Sequence, residues 1–464
     1  MKQLHEVITV PRERAEAFRF TANFGLIDQW DPGVTESEKL TAGPVREGSR
    51  FRVVVKAGLG TTEMQYVIKH FEPSRRVVLE GEGDGIHALD DIRFSDVEGG
   101  TQIDYAADIT LGGAAGKVEF LLGPVLDRVG KKALAGLRKA LTPEPFPPGE
   151  SLTRDLLDRL ILPGALGFTR FGYEHRRKSW RPITEYLQGR TAVVTGATSG
   201  LGQVVARQLA GLGARVILVG RSQDKLGAAI TEIKDATGNP EVRGEQADLS
   251  LMSEVRSLAE RLLEREPSLH ILVNNAAVLP TEKTLTEEGF ETAFATDLLS
   301  PWLLTRLLIP RLRESAPARI INVSSGGMYL SGIDLDQLEN PTGRYDGSRA
   351  YARAKRGLMI LTERWAEELE GSGVMVNAMH PGWADTPGVQ DSLPGFHKLT
   401  RAVLRTPEQG ADTIVWLAAA SEAGEVSGKL WLDREPHLAA ILPGTEGDPE
   451  QREQLIDKLT RLAA

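Results

Sequence analysis

The stretch from Arg190 to Gly213 constrains this chain more than any other. Thr191–Thr195 is a short apolar run rich in β-branched residues, which suits a strand buried on both faces. Gly196, Gly200 and Gly202 then punctuate a tight turn, and Val204, Val205, Leu209 and Leu212 come next at helical spacing. Strand, glycine turn and helix in that order present bare backbone N–H groups at a helix N-terminus, where a pyrophosphate binds without side-chain obstruction. The spacing is Gly-x3-Gly-x-Gly rather than Gly-x-Gly-x2-Gly. Three glycines also make an ordinary turn, so the weight of the signal comes from the downstream residues.

Further strands read at Arg215–Val219, Glu241–Gln246, Ile271–Asn274, Arg319–Val323, Val374–Ala378 and Lys429–Leu432, with helical patterns between most of them. That alternation predicts an α/β, doubly wound parallel sheet with helices on both faces. Ligands bind such sheets at the carboxyl ends of the strands. The second strand ends at Gly220-Arg221 with no acid to accept bonds from a ribose 2′-hydroxyl, and an arginine there suits a 2′-phosphate. NADP(H) is therefore expected over NAD(H). Asp248 and Leu249 follow the third strand, Asn274, Asn275 and Ala276 end the fourth, and Asn322-Val323-Ser324-Ser325 ends the fifth. Tyr351 and Lys355 lie four apart, on one helical face. A cation fixed beside a phenol favours phenolate, pulling it down toward working pH.

Together these residues resemble the short-chain dehydrogenase/reductase superfamily over about residues 166 to 440. The likeness rests on Thr195-Gly196-Ala197-Thr198-Ser199-Gly200-Leu201-Gly202, Asn274-Asn275-Ala276, Ser325, Tyr351-x3-Lys355 and His380-Pro381-Gly382-Trp383-Ala384-Asp385-Thr386. A narrower likeness, to one member group, rests on Phe171-Gly172-Tyr173-Glu174, Leu361–Ala366 and Glu408–Thr413. The resemblance implies that Tyr351 exchanges a proton with the substrate oxygen. Ser325 would bond that oxygen, and Lys355 would hold the nicotinamide ribose. Gly196, Ser199, Gly200, Leu201 and Gly202 would line the pyrophosphate turn. Asp248, with Leu249, would meet the adenine, and Asn275 and Ala276 the adenosine side. Pro381, Gly382 and Thr386 would meet the carboxamide end. Where the family usually carries asparagine, in a helix that it kinks, this chain reads Asp297. That substitution adds a negative charge expected to raise the pKa of Lys355 and Tyr351.

Residues 1–142 have another pattern. Leu4–Val10, Phe51–Lys56, Met64–Phe71, Arg76–Gly81, Asp90–Asp96 and Thr101–Leu111 alternate apolar and polar residues, with a hairpin signal at Val97–Thr101. One or two short helices are expected over Pro11–Gln29 and a long amphipathic helix over Gly116–Leu141. Val7-Ile8-Thr9-Val10-Pro11, Gln29–Val34, Gly48-Ser49-Arg50-Phe51 and that terminal helix resemble the START/Bet v 1-like superfamily, in its polyketide cyclase/dehydrase branch. The resemblance implies an α+β helix-grip domain with an apolar ligand. The bland alternative is a filled helix-on-sheet module.

The expected organisation is 1–142, a linker and arm over 143–188, a nucleotide-binding domain over 189–440, and a C-terminal helix over 441–464. The prolines of Thr142–Gly149 favour an extended spacer. Residues 152–181, leucine- and phenylalanine-rich with a basic end, fit either a peripheral membrane contact or an arm packed on the following domain, and Leu-rich helices usually bury against protein. A net charge of −9 argues against nucleic acid. There is no cysteine, and the eight histidines are scattered, so no metal site is expected. No signal peptide or spanning run is legible, and a cytosolic setting is expected. A homo-oligomer is compatible with the family likeness. Two functions compete: an NADP(H)-dependent oxidoreductase acting on a carbonyl or alcohol of an apolar substrate, and an apolar-ligand carrier whose dehydrogenase domain senses redox state and turns over poorly.

Overall fold

A computed structural model describes residues 2–57, 60–112, 119–142 and 165–463. The chain forms two compact units: Met1–Pro145 with Arg181–Tyr186, and Phe146–Trp180 with Leu187–Ala464.

In the first unit, β1 (Lys2–Val10) is followed by α1 (Arg14–Ala22), a 3-10 turn at Phe24–Gln29, and strands β2 (Val34–Lys39), β3 (Arg50–Ala57), β4 (Gly60–Glu72), β5 (Arg76–Gly83), β6 (Ile86–Val97) and β7 (Gly100–Leu111). These pair antiparallel in the order β1-β7-β6-β5-β4-β3-β2. The expected hairpin joins β6 to β7. Gly100 has φ +152°, and a Cβ there would press within 2.1 Å of the Val10 carbonyl oxygen, so glycine is required. The closing helix α2 spans Glu119–Leu141; the first three residues of its expected span lie outside the described residues. Leu134, Leu137 and Leu141, on one face of α2, join Phe18, Phe24, Phe51, Leu79, Ile92 and Phe94 in one core. Strand β2 is not legible in the sequence: Val34 is its one buried residue, and Thr-Glu-Ser-Glu-Lys follows. As the edge of the sheet it carries charge where an inner strand would carry apolar residues. Arg181–Tyr186 straps onto this unit through Glu185, 3.3 Å from Arg12, and through Tyr186, whose ring lies 3.2 Å beneath Arg19.

In the second unit, α3 (Arg170–Arg177) precedes β8 (Thr191–Thr195), α4 (Gly200–Gly211), β9 (Arg215–Gly220), α5 (Gln223–Thr237), β10 (Val242–Gln246), α6 (Met252–Arg265) and β11 (Ile271–Asn274). Next come α7 (Ser300–Glu314), β12 (Ala318–Val323), α8 (Gly347–Glu368) and β13 (Val374–Met379). Two short helices follow, α9 (Pro387–Ser392) and α10 (Pro394–Thr400), then α11 (Pro407–Ala419), β14 (Leu430–Leu432), β15 (Glu435–His437) and α12 (Pro449–Leu462). The sheet runs β10-β9-β8-β11-β12-β13-β14-β15, parallel except for the last strand. The chain winds outward from β8 through β9 to β10, then returns to β11 and winds the other way. The crevice between β8 and β11 is thus the topological switch point, where such sheets bind ligands. In this sheet the expected strands match to within a residue, and β15 was not expected; in the first unit the strands run longer than expected, β4 and β6 by up to four residues. The C-terminal helix α12 buries Leu455 and Leu459 in the main core.

Candidate active site

Three strand ends and one helix converge at this switch point. Thr195, closing β8, accepts the N–H groups of Asn275 and Ala276 on its Oγ1 at 2.9 and 3.0 Å. The Asn275 side-chain amide donates back to the Thr195 carbonyl at 2.8 Å. The glycine turn is therefore laced to the end of β11. Gly196 and Gly200 have φ of +63° and +55°, and a Cβ on Gly202 would come within 2.3 Å of the Gly196 carbonyl. Ser199 sits at the N-cap of α4 in extended conformation, and its side chain does not cap the helix. First-turn N–H groups without a side-chain cap make an anion cradle, so the donor set suits a dinucleotide pyrophosphate. Leu201 packs toward Gly410, and Thr386, which caps α9, faces Gly200.

The other expected nucleotide contacts lie just past the carboxyl ends of other strands of the sheet. Arg221 is exposed just beyond the end of β9. The Asp248 carboxylate accepts the backbone N–H and hydroxyl of Ser250 at 2.9 and 2.7 Å on one oxygen, and Leu249 is buried beside it. Pro381 and Gly382 follow β13, where His380 accepts the Gly382 N–H on Nδ1 at 2.9 Å. Burial holds that histidine neutral, pushed down to about 3.

Ser325 lies near enough to Tyr351 to favour its phenolate. Lys355, one helical turn after Tyr351, is 1% exposed; its ammonium donates to the Val323 carbonyl at 2.9 Å and lies 5.5 Å from the Tyr351 ring centre. The sequence led us to expect a phenol pulled down by this lysine. The structure corrects that: burial first, then the Asp297 charge, push Tyr351 well above its ordinary value, with Ser325 opposing. Asp297 was also expected to raise Lys355, but burial, the larger influence, lowers it against that pull.

Asp297 sits in a π turn, Ala295–Leu299, that leads into α7. It is fully buried. Its Oδ1 accepts the Val278 N–H at 2.8 Å, while its Oδ2 has no hydrogen-bond partner among the described residues. Burial pushes this carboxyl up to about 7, with Lys355 opposing and Glu291 adding to the rise.

Sequence reasoning missed two supports. Glu291 accepts the N–H groups of Ala293 and Phe294 and the Tyr345 hydroxyl, fixing the entry to the π turn. Arg356 reads as a solvated charge next to Lys355, yet it is 1% exposed and donates to the carbonyls of Met328, Ser331 and Ala439. It thereby ties the segment after Ser325 to α8. Nothing in the residue order alone tells which helix face that arginine takes. An open cleft of about 570 Å³ lies at the N-terminal end of α8, lined by Leu279, Pro280, Tyr345, Gly347 and Ser392 among others.

The arm residues 165–180 pack on this unit. Arg405 and Asp433, each 1% exposed, form a bidentate pair at 2.5 and 2.8 Å. Arg405 also donates to the Gly167 and Thr169 carbonyls, and Arg176 reaches Asp433 at 3.0 Å. Phe168 and Tyr173 are buried, while Phe171 is exposed. The remainder of the 152–181 stretch considered for membrane contact, up to residue 164, lies outside the described residues. Among the described residues, no helix is long and apolar enough to cross a membrane.

An uncapped glycine turn at the switch point beside a Ser-Tyr-Lys cluster is the arrangement of a Rossmann-type oxidoreductase. Residues 190–395 match the short chain dehydrogenase family, and residues 1–142 match the polyketide cyclase/dehydrase and lipid transport family. Dehydrogenase/reductase SDR family member 12 of Bos taurus is 39% identical over 306 residues, 65% of this chain and 95% of that protein. Retinol dehydrogenase 13 of Homo sapiens is 37% identical over 278 residues, 58% of this chain and 83% of that protein. The chain belongs to the short-chain dehydrogenase/reductase family of NAD(P)-dependent oxidoreductases acting on CH–OH groups. Its narrower sequence likeness is to the first of these relatives.

Proposed function

We propose that the second unit transfers hydride between NADP(H) and a carbonyl or alcohol carbon of an apolar substrate, and that the first unit binds an apolar ligand. The observation that carries the enzymatic reading is the convergence of Ser325, Tyr351 and Lys355 at the switch point of the sheet. Tyr351 exchanges the proton with the substrate oxygen, and Ser325 holds that oxygen against the phenol. Lys355 and the turn from Gly196 to Gly202 hold the nucleotide, with Asp248, Leu249, Asn275, Ala276, Pro381, Gly382 and Thr386 along its length. Arg221, in place of an acid, selects the 2′-phosphate. The chemistry of the bound nucleotide is hydride donation or acceptance, so the chain's own groups handle orientation and the proton. Asp297 tunes the pair: ionised, it disfavours phenolate on Tyr351 and favours the ammonium of Lys355.

Apolar substrates are supported by the first unit's match to a lipid-transport family and by the name of the retinol dehydrogenase relative. Cofactor choice is tested by comparing NADPH and NADH before and after Arg221→Asp. The NADPH preference should fall at least about tenfold, the worth of one lost charge-assisted contact. An unchanged preference would remove Arg221 from the reading.

A further inference from the structure

One position breaks the apolar row on the inner face of the first unit's sheet. Along β6, Ala88, Ile92 and Phe94 point into the core, and Asp90 points with them, 6% exposed. The Tyr105 hydroxyl donates to Asp90 Oδ1 at 2.9 Å, but Oδ2 is buried with no hydrogen-bond partner among the described residues. Tyr66 is buried nearby, its hydroxyl 4.0 Å from the Met64 thioether, a weak acceptor. Trp30, 4% exposed, has an indole N–H that likewise lacks a partner among the described residues. Asp31, Asp90, Tyr66 and Tyr105 lie close enough to shift one another's titration.

Leu79 pairs with Asp90 on the β5 side, while other neighbouring positions are small. The Tyr66 ring lies over Gly81, where a Cβ would come within 2.5 Å of it. Gly81 pairs with Ala88, and Asp90 with Ala107. A core built for stability alone would carry leucine or valine at 90, since a buried acid with one oxygen unpartnered costs free energy. Burial pushes Asp90 up to about 7, so near neutrality it can donate or accept a hydrogen bond.

We propose that Asp90, Tyr105 and Tyr66 form a polar anchor for the neutral oxygen, hydroxyl or carbonyl, of an otherwise apolar small ligand. A hydroxyl can donate to Asp90 Oδ2 and accept from a phenol. A carboxylate ligand would instead face two acids, Asp90 and Asp31. The inference rests on the apolar-ligand reading of the first unit and goes beyond it by naming the group recognised and the residues that recognise it.

The test is displacement of the neutral dye Nile red from the full chain by dodecanol, dodecane and dodecanoate, together with thermal melts. In the wild type, dodecanol should displace dye at least about tenfold more effectively than either of the others. Asp90→Leu should erase that advantage, because the oxygen that would bond the alcohol leaves the core. If that variant does not fold, Tyr105→Phe, which keeps the ring volume, should show the same loss of preference. Equal displacement by alcohol and alkane, stronger displacement by dodecanoate, or an alcohol advantage untouched by these substitutions would overturn the anchor while leaving the apolar-ligand reading standing. No displacement by any of the three would remove both.

Discussion

Asp297 and Lys355 share one buried setting, and the sign of their coupling decides the effect of changing either. Asp297 has an ordinary value of 3.8 and is raised to about 7 in the fold, so its ionised form is the disfavoured one there. The resulting penalty is absent below about pH 4, grows as pH rises, and is complete above about pH 7. Asp297→Asn should therefore melt above the wild type at pH 8, and the two should converge near pH 4. Removing the carboxylate also lowers the phenol, so the rising limb of kcat/KM for alcohol oxidation, which follows phenolate formation, should shift to lower pH, with turnover kept or raised. A hundredfold drop would mean that the aspartate has a catalytic role of its own. Tyr351→Phe should lose about a thousandfold or more in turnover while nucleotide affinity stays within a few fold. At this scale the Tyr-x3-Lys pair was legible because four-residue spacing fixes one helix face. The upward pull of Asp297 on the phenol was legible too; that burial outweighs the lysine was not, since the residue order carries no sign of burial. Arg356 and Asp90 were hidden for the same reason: a charged letter carries no sign of burial.

The elements were more legible than their edges. Strands β8, β9, β11, β12 and β13 are buried almost throughout, so continuous apolar runs marked them. β2 failed that test because only its first residue is buried. The π turn at Ala295–Leu299 was hidden because an extra residue in a fully buried helical segment leaves the apolar pattern unbroken. Gly202→Ala should cost about 2 kcal/mol or more in chemical denaturation and weaken nucleotide binding, because its Cβ has no room against the Gly196 carbonyl and the Asn275 amide. A variant as stable as wild type would contradict that crowding. Asp433→Asn leaves the Arg405 guanidinium buried without its charge partner, an expected cost of about 3–5 kcal/mol in the same measurement. It should also make residues 165–180 more open to proteolysis.

At the scale of the whole molecule, the two sequence patterns, alternating in residues 1–142 and βα-periodic beyond Thr191, correspond to two separate hydrophobic cores. The strap Arg181–Tyr186 was illegible as part of the first unit, because its allegiance depends on Arg12 and Arg19, far away in sequence. The second core belongs to a short-chain dehydrogenase/reductase and the first matches the polyketide cyclase/dehydrase and lipid transport family; an apolar substrate and an apolar ligand are what we propose for them. The central claim is catalysis through Tyr351 with NADPH. The most direct test measures NADPH and NADH oxidation over long-chain, aromatic and sterol-like carbonyls, with Tyr351→Phe alongside. Turnover should favour NADPH and vanish in the variant. Tight nucleotide binding with no turnover on any carbonyl, or turnover that survives in Tyr351→Phe, would contradict that claim.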